Sequence, residues 1–248
     1  MKKGSKKLPS RKRNYSSKTG WRSWFEAIEA RSPEQPLPEA IESMRIAREG
    51  FRYIGVLSLL GVAVLAFPAT RLLAVPLFVL AGFVTYFFRD PARVPPDDEK
   101  LLVSPGDGRV VYTGPGERDP SRAQVSIFLS IFDVHINRSP LAAVVRKIQY
   151  TPGQFLAAYK PESGTKNEQN EIELADGEFS VTVRQIAGVV ARRIVCVIHE
   201  NDSLERGQRF GLIQFGSRME VMLPGGTKLC VKVGDRVKGG ETVIAKRP

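Results

Sequence analysis

The sequence predicts a mainly β (α+β) protein in which a compact antiparallel β domain follows an α-helical hydrophobic hairpin. Two observations point to the hairpin: 17 charge-free residues from Tyr53 to Ala69 and another 17 from Leu72 to Phe88, with only Thr70 and Arg71 between them. The third is a change of character after Asp90, where short alternating or apolar runs recur between Gly, Pro and Asp turns. At 248 residues the chain has room for one good core with a small appendage.

The first element is a tail. Residues 1–22 carry nine Lys or Arg and no acid, so of the net charge of +11 only +2 belongs to the remaining residues. A basic, unpatterned segment of this kind over residues 1–37 reads as disordered, with attraction to anionic lipid or to nucleic acid. The apolar hairpin that follows favours lipid, and no nucleic-acid partner is expected. No short apolar core with a small-residue cleavage site follows the tail directly, which excludes an ordinary signal peptide; an organelle transit peptide stays open.

Residues 38–90 read as a membrane-anchoring region. A helix is expected over 38–52 from the rough apolar stripe Ile41, Met44, Ile46 and Phe51. Each 17-residue segment spans roughly 26 Å as a helix, at the short limit for a hydrocarbon core of about 30 Å, so the pair either crosses twice or dips in and returns. Arg45, Arg48 and Arg52 before it and Arg89 and Arg93 after it put both flanks on the cytoplasmic side. Pro68 and Pro76 argue against long uninterrupted helices, and Arg71 prefers an interface. The alternative is a helical hairpin buried in a soluble core.

A stiff polar linker, residues 90–98, leads into the β domain, 91–248. Strands are expected at Leu101–Ser104, Arg109–Thr113, Gln124–Ile131, Val144–Tyr150, Phe179–Ile186, Arg193–His199, Gly211–Phe215, Met219–Leu223, Thr227–Val233 and Thr242–Ala245. Two turns look alike, Gly106-Asp107-Gly108-Arg109-Val110 and Gly234-Asp235-Arg236-Val237. The second resembles the Gly-Asp turn of barrel-sandwich domains such as lipoyl and biotinyl carriers. No exposed lysine stands at a matched hairpin tip, so the likeness speaks for a barrel-sandwich-like fold and not for a swinging arm.

Chemistry has few candidates. Cys196 and Cys230 lie in apolar stretches and read as small buried hydrophobes, which leaves neither a disulfide framework nor a metal site. Only two histidines are present. His135 ends an apolar strand at a rim, and His199 leads into an exposed turn. Gly216-Ser217 reads either as an ordinary turn or as a serine beside a flexible glycine, able to attack its own peptide bond if a base lies near. Asp107 reads either as a turn carboxylate or as the group orienting His135. No Gly-x-Ser-x-Gly elbow is present, which disfavours a conventional serine hydrolase.

Several blocks taken in order carry a resemblance: Phe87-Phe88-Arg89-Asp90-Pro91-Ala92-Arg93, Ser104-Pro105-Gly106-Asp107-Gly108, Phe132-Asp133-Val134-His135-Ile136-Asn137-Arg138, Lys166-Asn167-Glu168-Gln169-Asn170-Glu171, Gln185-Ile186-Ala187-Gly188 with Ala191-Arg192-Arg193, and Phe215-Gly216-Ser217-Arg218. From about residue 50 onward the chain resembles the short prokaryotic branch of the phosphatidylserine decarboxylases. The resemblance implies a proenzyme that cuts itself between Gly216 and Ser217. His135, held by Asp107, would act as base, and Ser217 would become a covalent pyruvoyl group that forms a Schiff base with the substrate amine. No metal is implied. Phe132 would line the site, with Arg138, Lys166 and Arg192 as candidate phosphate partners. Longer relatives carry another histidine at the position of Phe132 and Thr at that of Arg218.

The partners implied are a phospholipid substrate in the bilayer and an anionic membrane surface, with fragments 1–216 and 217–248 staying associated and a homo-oligomer left open. The enzyme would sit at the cell membrane with its β domain toward the cytoplasm. Two rivals remain: a decarboxylase of a related serine lipid of the archaetidylserine type, and a membrane-anchored barrel-sandwich adaptor without an active site, which would remain uncut.

Overall fold

The computed structural model describes residues 45–248 apart from Pro161, residues 190–192 and Phe215. The basic tail, residues 38–44 of the expected first helix, Arg192 and Phe215 lie outside the described residues.

The described chain enters as an extended stretch where a helix was expected. Ile46 pairs with Arg89 in an antiparallel bridge, the Ala47 N–H donates to the Phe88 carbonyl at 2.8 Å, and the Asp90 N–H donates to the Arg45 carbonyl at 2.7 Å. Backbone pairing thus closes the base of a helical hairpin. Helix α1 (Arg48–Leu65) opens with Glu49 in its first turn, favourable against the positive end of the helix dipole. A 3-10 helix (Pro68–Leu73) forms the tip, with Arg71 exposed in it, and α2 (Ala74–Phe87) returns. Pro68 opens the 3-10 helix and Pro76 lies in the first turn of α2, where a missing N–H costs little, so both prolines are accommodated.

The outer faces of this hairpin are bare: Leu59, Phe67 and Leu72 are 72%, 65% and 86% exposed. Among the described residues, one segment, Pro68–Phe87, is long and apolar enough to cross a membrane. The basal end is different. Ala47, Val84, Phe87 and Phe88 bury themselves against Val134, Ile136 and Leu212 in a small second core, which fixes the hairpin to the β domain.

The β domain holds β1 (Leu101–Val103), β2 (Gly108–Pro115), β3 (Ala123–Leu129), β4 (Ile136–Arg138), β5 (Ala143–Thr151), a one-turn helix α3 (Ser163–Lys166), β6 (Gln169–Asp176), β7 (Phe179–Ile186), β8 (Ile194–Cys196), β9 (Ser203–Leu204), β10 (Arg209–Ile213), β11 (Ser217–Leu223), β12 (Lys228–Leu229), β13 (Arg236–Val237) and β14 (Val243–Lys246). Eight strands form one antiparallel sheet in the order β13-β2-β3-β11-β7-β6-β5-β9, and two three-stranded sheets, β1-β14-β12 and β4-β10-β8, complete the domain. The main core is made by alternating inward residues such as Val125, Ile127 and Leu129 of β3 facing Val181 and Val183 of β7 and Met219, Val221 and Leu223 of β11.

The two look-alike turns meet. β13 pairs with β2, Val110 and the Gly234-Asp235 turn exchange two backbone hydrogen bonds of 2.9 Å, and Gly239 lies against Gly106. Cys196 is half-buried, but Cys230 is exposed, since β12 ends at Leu229 and only the Cys230 backbone joins β14.

Strand β11 is central, flanked by β3 and β7. Its second face, unlike the apolar inner one, carries Arg218 and Glu220. Glu220 is fully buried and lies 3.0 Å from Arg184 of β7 and 2.8 Å from Arg218; these are charge contacts, not aligned hydrogen bonds. Burial pushes the Glu220 carboxyl up and the Arg184 guanidinium down from their ordinary values, the facing charges opposing both shifts.

Candidate active site

Between β10 and β11 the chain leaves one sheet and joins another within three residues, 214–216. Gly216 takes φ +71°, a left-handed conformation that glycine adopts without a Cβ clash. Ser217 then opens β11, paired with Leu129, and its side chain is buried with a hydroxyl that has no hydrogen-bond partner among the described residues. The Gly216 carbonyl is closely confined: a Cβ on Gly188 would stand 2.2 Å from its oxygen. Gly188, just past β7, is therefore a position where only a hydrogen fits.

His135 comes to this bond from the loop before β4. The Gly216 N–H donates to its Nε2 at 3.1 Å, and its Nδ1 lies 3.0 Å from the Asp133 carbonyl. Those two partners fix the tautomer: Nδ1 carries the hydrogen and Nε2 is the acceptor. Burial lowers the pKa of His135 from 6.5 to about 4, against the pull of the Asp133 carbonyl and charge and with a smaller push from Arg89. The ring is neutral at physiological pH.

Asp107 makes no hydrogen bond to this imidazole. Its carboxylate accepts from Arg93 Nη2 and from the Gly239 N–H, both at 2.8 Å, because the turn between β1 and β2 faces the look-alike turn and the linker. Burial raises the Asp107 pKa, with Arg93 and the Gly239 N–H opposing. The orienting partner of His135 is a backbone carbonyl, which no side-chain motif reveals.

Among the described residues, no hydrogen bond joins Phe132, Arg138 or Lys166 to this bond or to the imidazole. Phe132 is 61% exposed and meets Phe83 edge-on at 6.5 Å. Arg138 is committed to Asp90 at 2.5 Å and to the carbonyls of Gly207 and Pro91. Lys166 is exposed at the end of α3, and Arg192 lies outside the described residues. His199 is 88% exposed beside Asp202. No group of three or more His, Cys, Asp or Glu among the described residues is arranged to hold a metal ion.

Beside Gly216 opens a shallow pocket of about 140 Å³, almost wholly apolar, lined by Phe128, Ile131, Ala157, Ala158, Tyr159 and Val189. None of these was singled out from sequence. Their signal was weak, because Ala157-Ala158-Tyr159 falls in an irregular stretch; Gly188 stood in the sequence only as the last residue of the block Gln185-Ile186-Ala187-Gly188 that carried the resemblance.

Comparison with known proteins identifies the family. Residues 80–245 match the sequence model of the family described as phosphatidylserine decarboxylase. A protein of Symbiobacterium thermophilum named phosphatidylserine decarboxylase proenzyme is 49% identical over 82% of this chain and 96% of its own length. Proteins of the same name from Syntrophus aciditrophicus and Nitrosomonas europaea are 43% and 44% identical over 80% and 81% of this chain, and over 96% and 94% of their own lengths. The match takes in the hairpin base, the His135 loop and the Gly216–Ser217 bond, and the chain belongs to the phosphatidylserine decarboxylase family.

Proposed function

We propose that the chain is a proenzyme that cuts itself between Gly216 and Ser217 and then converts phosphatidylserine to phosphatidylethanolamine and CO2 at a membrane. The observation that carries this reading is the hydrogen bond from Gly216 to a buried, neutral His135 whose Nε2 is free of its own proton. The names of the relatives support it.

In this reading His135 Nε2 gives up its hydrogen bond from the Gly216 N–H and accepts the Ser217 hydroxyl proton as the oxygen bonds to the Gly216 carbonyl carbon. The Gly216–Ser217 C–N bond breaks, its nitrogen takes up a proton, and an ester replaces the amide. Loss of the Ser217 α-proton then expels the Gly216 carboxylate and leaves an unsaturated residue 217, which water hydrolyses to a ketone with release of ammonia.

The residues present fit a covalent pyruvoyl group at position 217. The Ser217 hydroxyl is buried and unpartnered, and Gly188 keeps the adjoining carbonyl within a space that a methyl group would fill. Once formed, that group supplies the electron sink into which a substrate amine's α-carboxylate is lost. The chain's own residues do the rest. The apolar lining of the pocket beside Gly216 disfavours a charged carboxylate, and His135 stands ready to return a proton. Asp107 braces the β1–β2 turn through Arg93 and Gly239.

The hairpin would anchor this site at the bilayer through its bare Leu, Val and Phe faces, with its arginine-flanked base and the β domain on the cytoplasmic side. The decisive experiment is an intact mass of freshly made protein. Fragments 1–216 and 217–248, the smaller lacking a free α-amino group, are expected, with a Ser217→Ala chain remaining whole and inactive on phosphatidylserine vesicles. Full cutting of Ser217→Ala would overturn the reading.

A further inference from the structure

The last turn of α2 reaches the candidate base directly. Phe87 is 1% exposed, and its ring centroid lies 4.4 Å from that of the His135 imidazole. Phe87 meets Phe88 edge-on at 5.1 Å, and Phe88 stacks on Tyr53 of α1 at 5.9 Å, so a row of four rings runs from the first hairpin helix to the imidazole. The residues beside Phe87 hold the same loop at its other end. The Tyr86 hydroxyl and Arg89 Nη2 both donate to the Phe132 carbonyl, at 3.1 and 2.8 Å, and the Arg89 guanidinium lies 3.8 Å over the Tyr86 ring.

From the β domain the ties on this loop are few. Ser130 and Asp133 close a turn within it, Arg236 lies 3.5 Å from Asp133, and the Ile213 N–H reaches the His135 carbonyl at 3.4 Å. Nδ1 and Nε2 fix the imidazole in its own plane, but neither bond resists a tilt of the ring. The Phe87 ring, packed at 37° to the imidazole plane, does.

We infer that the end of α2, Phe87 above all with Tyr86, together with Arg89 just past it, positions the His135 imidazole against the Gly216–Ser217 bond, so that the membrane hairpin is a working part of self-processing. This rests on His135 being the base. A displacement of about 1 Å at a reacting group costs about 100-fold in rate, so a ring that packs on the base has leverage on the cut.

The test uses the full chain in phospholipid nanodiscs and two readouts. One is the rate of cutting followed by intact mass. The other, in the uncut Ser217→Ala chain, is nitrogen NMR of His135, which gives its tautomer and titration midpoint independently of any cutting. The charged groups facing the ring are Asp133 on its own loop and Arg89, two residues past α2, with Arg236 of β13 paired to Asp133, and all three are kept.

Phe87→Ala is expected to slow cutting about 10- to 100-fold. It should also move the His135 midpoint up from about 4 toward 6.5 as water reaches the ring, with Phe87→Leu falling between. Cutting at the unmodified rate in Phe87→Ala, or slowed cutting with tautomer and midpoint unchanged, overturns the proposal. If Phe87→Ala does not fold, Phe87→Leu and Tyr86→Phe decide, and unmodified cutting in both overturns it. A His135→Gln chain that still cuts would instead remove His135 as base, while the NMR midpoint would still report on the packing of Phe87.

Discussion

A histidine that is to take a proton at neutral pH has to be unprotonated beforehand, and burial secures this for His135. With its value lowered to about 4, cutting is expected to persist at pH 5.5, where an ordinary histidine is mostly charged, and to fall with a midpoint near 4. A midpoint near 6.5 in a pH series of freshly translated chain would count against it. The same shift has a cost in acid. The unfolded chain binds the proton below 6.5 and the folded chain only below about 4, so stability falls across that window, by about 3 kcal/mol at 1.36 kcal/mol per unit, and no further beneath it. Urea midpoints of the Ser217→Ala chain between pH 7 and 4 should show this slope, and a His135→Gln change should flatten it. Gly188 makes the second point at this scale. Gly188→Ala would set a methyl 2.2 Å from the Gly216 oxygen, so backbone has to move at the bond to be cut, and at least a tenfold slowing of cutting is expected by intact mass. The scarcity of histidine and the Gly-Ser pair marked His135, Gly216 and Ser217 as candidates with an ordinary structural reading open beside each, and their roles came only from the resemblance. The Asp133 carbonyl was not legible, since a backbone acceptor leaves no residue-type signal.

Among the elements, β11 shows what sequence patterns hide. No pattern in the sequence marks Arg184, Arg218 and Glu220 as interior, yet they are at most 2% exposed, and the two guanidinium groups share the one Glu220 carboxylate between β7 and β11. Removing the shared acid in Glu220→Ala strands two buried guanidinium groups, whose remaining acids, Glu171 and Glu117, lie at 4.0 and 3.8 Å. The expected loss is about 3–5 kcal/mol, read from urea unfolding of the Ser217→Ala chain; a loss below about 1 kcal/mol would show the pair to be dispensable. The longer apolar strands, β3, β7 and β11, were visible from alternation. β6 was not, because its first half, Gln169-Asn170-Glu171, is polar and reads as a motif, and its Ile172 and Leu174 are too few to set a period. β4 was masked in the same way by the polar run around His135. Extended residues 45–47 were taken for helix because pairing with Arg89, 43 residues on, is a tertiary effect.

At the scale of the molecule, the 217–248 segment is distributed through the fold. It supplies β11 and β13 to the eight-stranded sheet and β12 and β14 to a three-stranded one. β11 alone is bonded along seven residues to β3 and along five to β7. Fragments 1–216 and 217–248 should therefore co-migrate in gel filtration and unfold in a single thermal transition. Separation of the small fragment without denaturant would contradict this.

The passage of the chain from one sheet to the next at residues 214–216 also orders events in time. His135 and Gly216 are 81 positions apart in sequence and meet only when β4 has paired with β10 and β11 has entered between β3 and β7. On the proposed reading, a chain still being synthesised therefore does not sever itself early. After the cut the situation reverses, for the link that brought β11 to its place is gone, and a denatured molecule must find its own 32-residue partner by diffusion. Recovery from denaturant should depend on concentration for the processed protein and not for the Ser217→Ala chain, which makes each enzyme a molecule that folds unaided only once.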